Sequence, residues 1–408
     1  MAAEVHPPQL TSSHSEPADA TDAEAAADPA TTRGASRNVV PAQRQRPPTP
    51  IPRRALLLAP AGLALLVGLD AGLLLAELPA PISADRLPEI HGMVMVLGFL
   101  GTLIALERAI ALRRAWAYLA PALLGAGGLT LAVPALPPWL GQVLLLDGTI
   151  ALVVLYAVLW RRQRDLPTAT QIVAAGLAAM AALLWLRVDV ERLIPLLLGF
   201  LILTIASERV ELARLALPPH ADRVLLAAAL ALAVTAVAGV LVPLWGGRAM
   251  ALLLCGLVVW LARHDVARRT ISSVGLPRFA AAAMLLGYAW LFTAGLAWLL
   301  AGDLVGGSEP GAAYDLVIHA VTLGFVMSMV LAHAPVILPA VLRRPLPFHP
   351  VLWVVLGLLH ASLLARVVLG DLAGLTGAWR VGASGTVLAL LVLPPVIAWS
   401  VARGRHTA

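Results

Sequence analysis

Apolar residues in this chain come in long blocks, with the polar residues collected between them. From residue 55 onward the blocks cover about 55–76, 91–112, 115–134, 139–160, 169–186, 192–214, 223–244, 248–262, 279–300, 315–341, 350–370 and 381–402. About 20 apolar residues at ~1.5 Å each cross a hydrocarbon layer ~30 Å thick as a helix. Most of these blocks are apolar on every face, unlike the one-sided stripe of a soluble surface helix. Strands are excluded, because a sheet edge facing lipid would leave its backbone groups unpaired. The pattern predicts an all-α polytopic membrane protein with twelve transmembrane helices.

Composition agrees. Sixty per cent of the 408 residues are hydrophobic and 13% are charged, against roughly 25% charged in an ordinary soluble domain. The single cysteine, Cys255, lies inside an apolar run, which excludes a disulfide framework and a thiolate metal cluster. The net charge of +6 would suggest nucleic acid in a soluble chain. Here the arginines fall in the loops, where topology accounts for them, and lysine does not occur at all. Residues 1–50 are rich in Ala, Pro, Ser, Thr and Asp without apolar periodicity and read as a disordered tail. The tail is not read as a signal peptide, because no apolar segment follows until Ala55. Residues 51–408 then form the membrane domain.

Charge sets the expected orientation. Arg44, Arg46, Arg53 and Arg54, then Arg113–Arg114, Arg161–Arg162–Arg164, Arg223, Arg263, Arg268–Arg269, Arg343–Arg344, Arg403 and Arg405 all fall on one side of the twelve blocks. The opposite loops carry Asp85, Glu89, Asp303, Glu309, Asp315 and Asp371. Positive-inside insertion places the arginine side, and with it both termini, in the cytoplasm.

One pattern repeats. The second block holds Leu97-Gly98-Phe99-Leu100-Gly101-Thr102-Leu103-Ile104-Ala105-Leu106-Glu107-Arg108, and the sixth holds Leu198-Gly199-Phe200-Leu201-Ile202-Leu203-Thr204-Ile205-Ala206-Ser207-Glu208-Arg209, identical at eight of twelve positions. The tenth begins Leu323-Gly324-Phe325-Val326 and places His333 where the others have Glu. Related helices four apart predict a 4+4+4, pseudo-threefold architecture. Common twelve-helix carriers have two six-helix halves instead.

Ionisable groups inside membrane helices are costly and mark candidate chemistry. His91 opens the second block and His319 lies one turn into the tenth, both near the outer face. Two imidazoles at one depth on two helices can approach an iron from opposite sides, as in a low-spin haem; the plain alternative is a pair of interfacial histidines. His333 follows His319 by 14 residues, about 21 Å along a helix and within about 40° of the same face. With Glu107 and Glu208 it would make a second site, suited to copper or non-haem iron. The glutamates are otherwise helix-end charges paired with loops. His360, midway along the eleventh block, is a further candidate ligand or a hydrogen-bonding core residue. Arg366, and Arg380 at the same face, can meet haem propionates or snorkel. Asp70 and Asp147 suit proton movement or helix–helix bonding. No phosphate loop, hydrolase triad or zinc motif occurs.

Gly287-Tyr288-Ala289-Trp290-Leu291, His319-Ala320-Val321-Thr322-Leu323-Gly324 and Ala361 to Val367 resemble the C-terminal part of the NnrS family, and His91-Gly92-Met93 with Gly98-Phe99 resembles its second span. The resemblance covers roughly 280–370 and 88–105. It implies a twelve-span bacterial inner-membrane protein containing haem and copper and linked to nitric oxide stress. Glu89 stands where that family has another histidine, and Ala206-Ser207-Glu208-Arg209 replaces its glycine-rich signature. More distantly, the chain is similar to the catalytic subunit of haem–copper oxidases, which has twelve helices in three groups of four and histidines of its second and tenth spans on a low-spin haem. The copper-ligand histidines that likeness requires on the sixth and seventh spans are absent, which argues against oxygen reduction.

The expectation is a membrane haem protein with iron between His91 and His319. It would serve electron transfer with a redox partner protein, or a nitric oxide response, and have no bulk-substrate enzyme activity. Its rivals are a cofactor-free carrier of a small solute and a scaffold or assembly factor for a respiratory complex.

Overall fold

The computed structural model describes residues 53–214, 217–306, 311–344 and 346–403, all within one compact unit. The expected disordered tail, Arg44, Arg46, Glu309 and Arg405 lie outside the described residues. Among those described there is no strand, and twelve helices are long and apolar enough to cross a membrane. They are α1 (Arg54–Leu75), α2 (Arg86–Leu112), α3 (Ala115–Ala132), α4 (Pro138–Gln163), α5 (Leu166–Leu184), α6 (Val190–Leu212), α7 (Ala221–Leu241), α8 (Pro243–His264), α9 (Leu276–Ala301), α10 (Ala312–Leu342), α11 (Val351–Leu372) and α12 (Thr376–Arg403). Every expected block has its helix. The largest extensions are five residues at the starts of α2, α8 and α12, where short polar or glycine-containing segments continue the helix.

Successive helices pack antiparallel, α1 also meets α12, and the three helices α2, α6 and α10 touch one another. In α6, 89% of the apolar window is buried, against 28% in α7. An all-round apolar sequence therefore serves two environments: α6 is enclosed by protein, whereas α7 presents most of its surface outward.

Glycines of the shared Leu-Gly-Phe motif set helix spacing. A Cβ on Gly98 would stand 3.1 Å from Gly128 Cα of α3, and one on Gly324 would stand 2.4 Å from Trp290 of α9. Any larger residue there would force the helices apart.

Widened helical turns occur in three places among the described residues. Val94–Gly101 in α2, Ala320–Val326 in α10 and Ala365–Leu372 in α11 are π-helical. Such i→i+5 stretches are rare and gather at functional sites. His91 precedes the first by three residues, His319 abuts the second, and Arg366 lies in the third. Helices α2, α4 and α10 each end on an arginine in the left-handed conformation, namely Arg113, Arg164 and Arg343. The cation at a helix C-terminus offsets part of that backbone cost.

Candidate functional site

The end of the bundle opposite the arginine-rich loops holds His91 and His319. His91 Nδ1 lies 2.8 Å from the carbonyl oxygen of Gly68 on α1. A carbonyl only accepts, so the imidazole proton is on Nδ1, and in the neutral ring Nε2 keeps its lone pair. His319 is held the same way: Nδ1 lies 2.8 Å from the Asp315 carbonyl oxygen and 3.1 Å from Asp315 Oδ1. Both rings are thus fixed in one tautomer. Gly72 leaves space beside His91, since a Cβ there would stand 3.3 Å from the ring carbon Cε1.

His319, Asp315 and Arg366 all lie within electrostatic reach of His91. His91 itself is half-buried. Arg366 binds Asp315 in a fork, Nε to Oδ2 at 2.8 Å and Nη2 to Oδ1 at 2.6 Å. Its guanidinium carbon also lies 4.6 Å from the centre of the Trp379 ring, and Trp379 Nε1 donates to Asp315 Oδ2 at 3.2 Å. Asp371 lies against Asp315, one of its oxygens buried without a partner. Arg380 is paired with Glu77 at the surface.

Fit to a metal rests on this donor set. Metal-bound imidazoles characteristically donate their second N–H to a carbonyl or carboxylate, which fixes the ring and raises its basicity. His91 and His319 both have that arrangement.

The candidate ligands His360 and His333 have both ring nitrogens engaged within the protein. His360 Nδ1 accepts from Trp290 Nε1 at 2.9 Å, which puts the ring proton on Nε2, 3.2 Å from Ser328 Oγ. His333 Nδ1 donates to Met329 O at 2.6 Å, and its Nε2 accepts from Arg209 Nη1 at 3.0 Å. Helical periodicity placed His333 on the His319 face, but the intervening π-helical stretch changes the rotation per residue. Glu107 and Glu208 share Arg108, at 3.3 and 2.8 Å from Nη2. Among the described residues, no three His, Cys, Asp or Glu side chains are placed to hold a metal ion.

Arg209 organises a second buried group. It binds Asp265 through Nε–Oδ2 at 3.0 Å and Nη2–Oδ1 at 2.8 Å. Asp265 also accepts from the Tyr288 hydroxyl at 2.6 Å and the Ala267 amide at 2.8 Å. Burial pushes the Asp265 carboxyl up, but these donors and the Arg209 charge outweigh it and hold the group below the ordinary carboxylate range.

The structure separates the two expected aspartates. Asp70 is buried and accepts from the Ile82 amide at 3.1 Å, leaving Oδ2 without a partner, whereas Asp147 is exposed. Asp315, Trp379, Asp265 and Tyr288 are the site residues that sequence reasoning missed. Only Asp315 carried a usable signal, four residues before His319 on one helix face.

The model of a family described as a domain of unknown function, DUF8744, matches residues 54–402. This chain belongs to that family. The match covers all twelve helices of the DUF8744 domain apart from the last residue of α12. No curated protein and no solved structure matches the chain.

Proposed function

We propose that this chain is a membrane haem protein of NnrS-like type, in which His91 and His319 would hold the iron, serving electron transfer or a nitric oxide response. The observation that carries the reading is the shared tautomer of the two imidazoles: each Nδ1–H is committed to a carbonyl and each Nε2 is left as a ligand. A haem so held would supply reversible one-electron exchange. The chain's own part is to hold and tune. Asp315 fixes His319 through its carbonyl and its carboxylate, Arg366 and Trp379 hold that carboxylate, and the Gly68 carbonyl orients His91. Arg366 has Nε and Nη2 taken by Asp315, which leaves Nη1 for a propionate, and Arg380 is engaged with Glu77. Copper is not part of the proposal, because His333 and the glutamates are held by arginines.

The reading includes insertion in a bacterial inner membrane with the arginine-rich end in the cytoplasm, supported by the loop charges. It also includes three related four-helix groups, supported by the mutual contact of α2, α6 and α10, which carry the shared motif. A carrier without cofactor is the second reading, favoured by the buried ionisable groups at both ends.

The test is a visible spectrum of protein purified after expression with ample haem. A Soret band lost in both His91→Ala and His319→Ala is the expected result. Colourless wild-type protein, or a band unchanged in either variant, would overturn the proposal.

A further inference from the structure

At the arginine-rich end, one guanidinium serves three carboxylates. Arg108 Nη2 donates to Glu208 at 2.8 Å and to Glu107 at 3.3 Å, while Nη1 lies 3.6 Å from Glu211. With all three ionised, the cluster holds two negative charges that no cation in it balances. Neighbouring groups do not relieve it: Arg209 is bound to Asp265 and His333, and Arg108 is the cation that acts on Glu107. In α10 the position equivalent to Arg108 and Arg209 is Ala334, so the third repeat supplies no guanidinium.

Tyr156 on α4 is an independent observation at the same place. It is fully enclosed, its hydroxyl has no hydrogen-bond partner, and it lies within electrostatic reach of Arg108, Glu107, Glu208 and Glu211. Arg108 Nε is likewise buried and unpartnered. Leaving such a group unsatisfied costs roughly 1–3 kcal/mol, so each of the two donors points to an occupant that accepts from it. An anion would accept, but three carboxylates repel it. No three of these acids are placed to surround a metal ion. Water accepts from Tyr156 and Arg108 Nε and donates to a carboxylate, and a proton on one carboxyl relieves the excess charge.

We propose that Glu107, Glu208, Arg108 and Tyr156 form a hydrated proton-exchange site, with Glu107 the proton carrier and half-exposed Glu211 the link to bulk water. Glu107 carries the proton because Arg108 holds Glu208 closer, which leaves Glu107 the less stabilised anion. One O–H bond forms on the Glu107 carboxylate as one breaks in water or hydronium, and no electrons move. The site stands whether or not iron lies between His91 and His319.

Infrared spectroscopy of the full-length protein in lipid nanodiscs tests it, in light and heavy water at pH 7. The expected result is a carboxylic acid C=O band that shifts on deuteration, disappears in Glu107→Gln, persists in Glu211→Gln and moves in Tyr156→Phe. A wild-type spectrum with no exchangeable acid band overturns the proposal without any variant. So does a folded Glu107→Gln protein whose acid bands match those of wild type, or a Glu107 band that Tyr156→Phe leaves unmoved.

Discussion

The sharpest test of the proposed haem site is Asp315→Asn. In the structure the carboxylate accepts two hydrogen bonds from Arg366 and one from Trp379, and lies 3.1 Å from His319 Nδ1. The substitution keeps the shape but removes the negative charge beside the imidazole. The second anchor of His319 survives, because the residue 315 carbonyl still accepts from Nδ1 at 2.8 Å. Ring orientation is therefore kept and ligand basicity falls. Loss of an outer partner of a metal-bound histidine typically costs ~10–100-fold in affinity. With the carbonyl anchor intact, the expected loss is at the lower end, about tenfold or about 1.4 kcal/mol. Asp315→Ala should cost more in stability than Asn, since Asn keeps one acceptor for the buried Arg366 and Ala keeps none. The assay is titration of haem into apoprotein followed by absorbance, with thermal unfolding alongside. An Asp315→Asn protein that binds haem as tightly as wild type would refute the role given to the carboxylate. A complete loss of binding in well-folded Asp315→Asn would refute the claim that the carbonyl suffices to orient the ring.

Arg209→Met should destabilise the fold by roughly 3–5 kcal/mol, because it leaves Asp265, 2% exposed, as an uncompensated buried charge. Arg209→Met combined with Asp265→Leu should recover much of that loss in a denaturant-unfolding double-mutant cycle, and simple addition of the two losses would refute the coupling. The folded-state value of Asp265 lies below its unfolded value near ~3.9. Its contribution is therefore fully present above that pH and is lost as pH falls through the depressed value, an acid sensitivity that Asp265→Asn should remove from a stability-versus-pH curve. Arg86 donates to the carbonyls of Leu131, Val133, Pro134 and Leu136 at the end of α3. Arg86→Ala should cost about 1–2 kcal/mol and raise hydrogen exchange in 131–136, and unchanged exchange there would count against this capping role.

The helices were legible in the sequence because each must satisfy its own backbone within a single apolar block, so length and hydropathy suffice. Loop arginines likewise carried the expected orientation, and the depth of His91 and His319 followed from position along their blocks. Partner choice was not legible. Glu107, Glu208 and His333 occupy equivalent positions in related helices and suggested one ligand set. In the folded chain Arg108 takes the glutamates and Arg209 takes the histidine, because side chains pair according to which helices become neighbours. The π-helical stretches beside His91, His319 and Arg366 were invisible as well. Each stretch mixes Val, Leu and Gly as the regular parts of these helices do, so nothing in the residue pattern marks a π turn from an α turn. Spans and charged ends were thus determined by local composition. Which imidazoles keep a free nitrogen was decided only when α1 brought the Gly68 carbonyl to His91 and the turn of α10 brought Asp315 to His319.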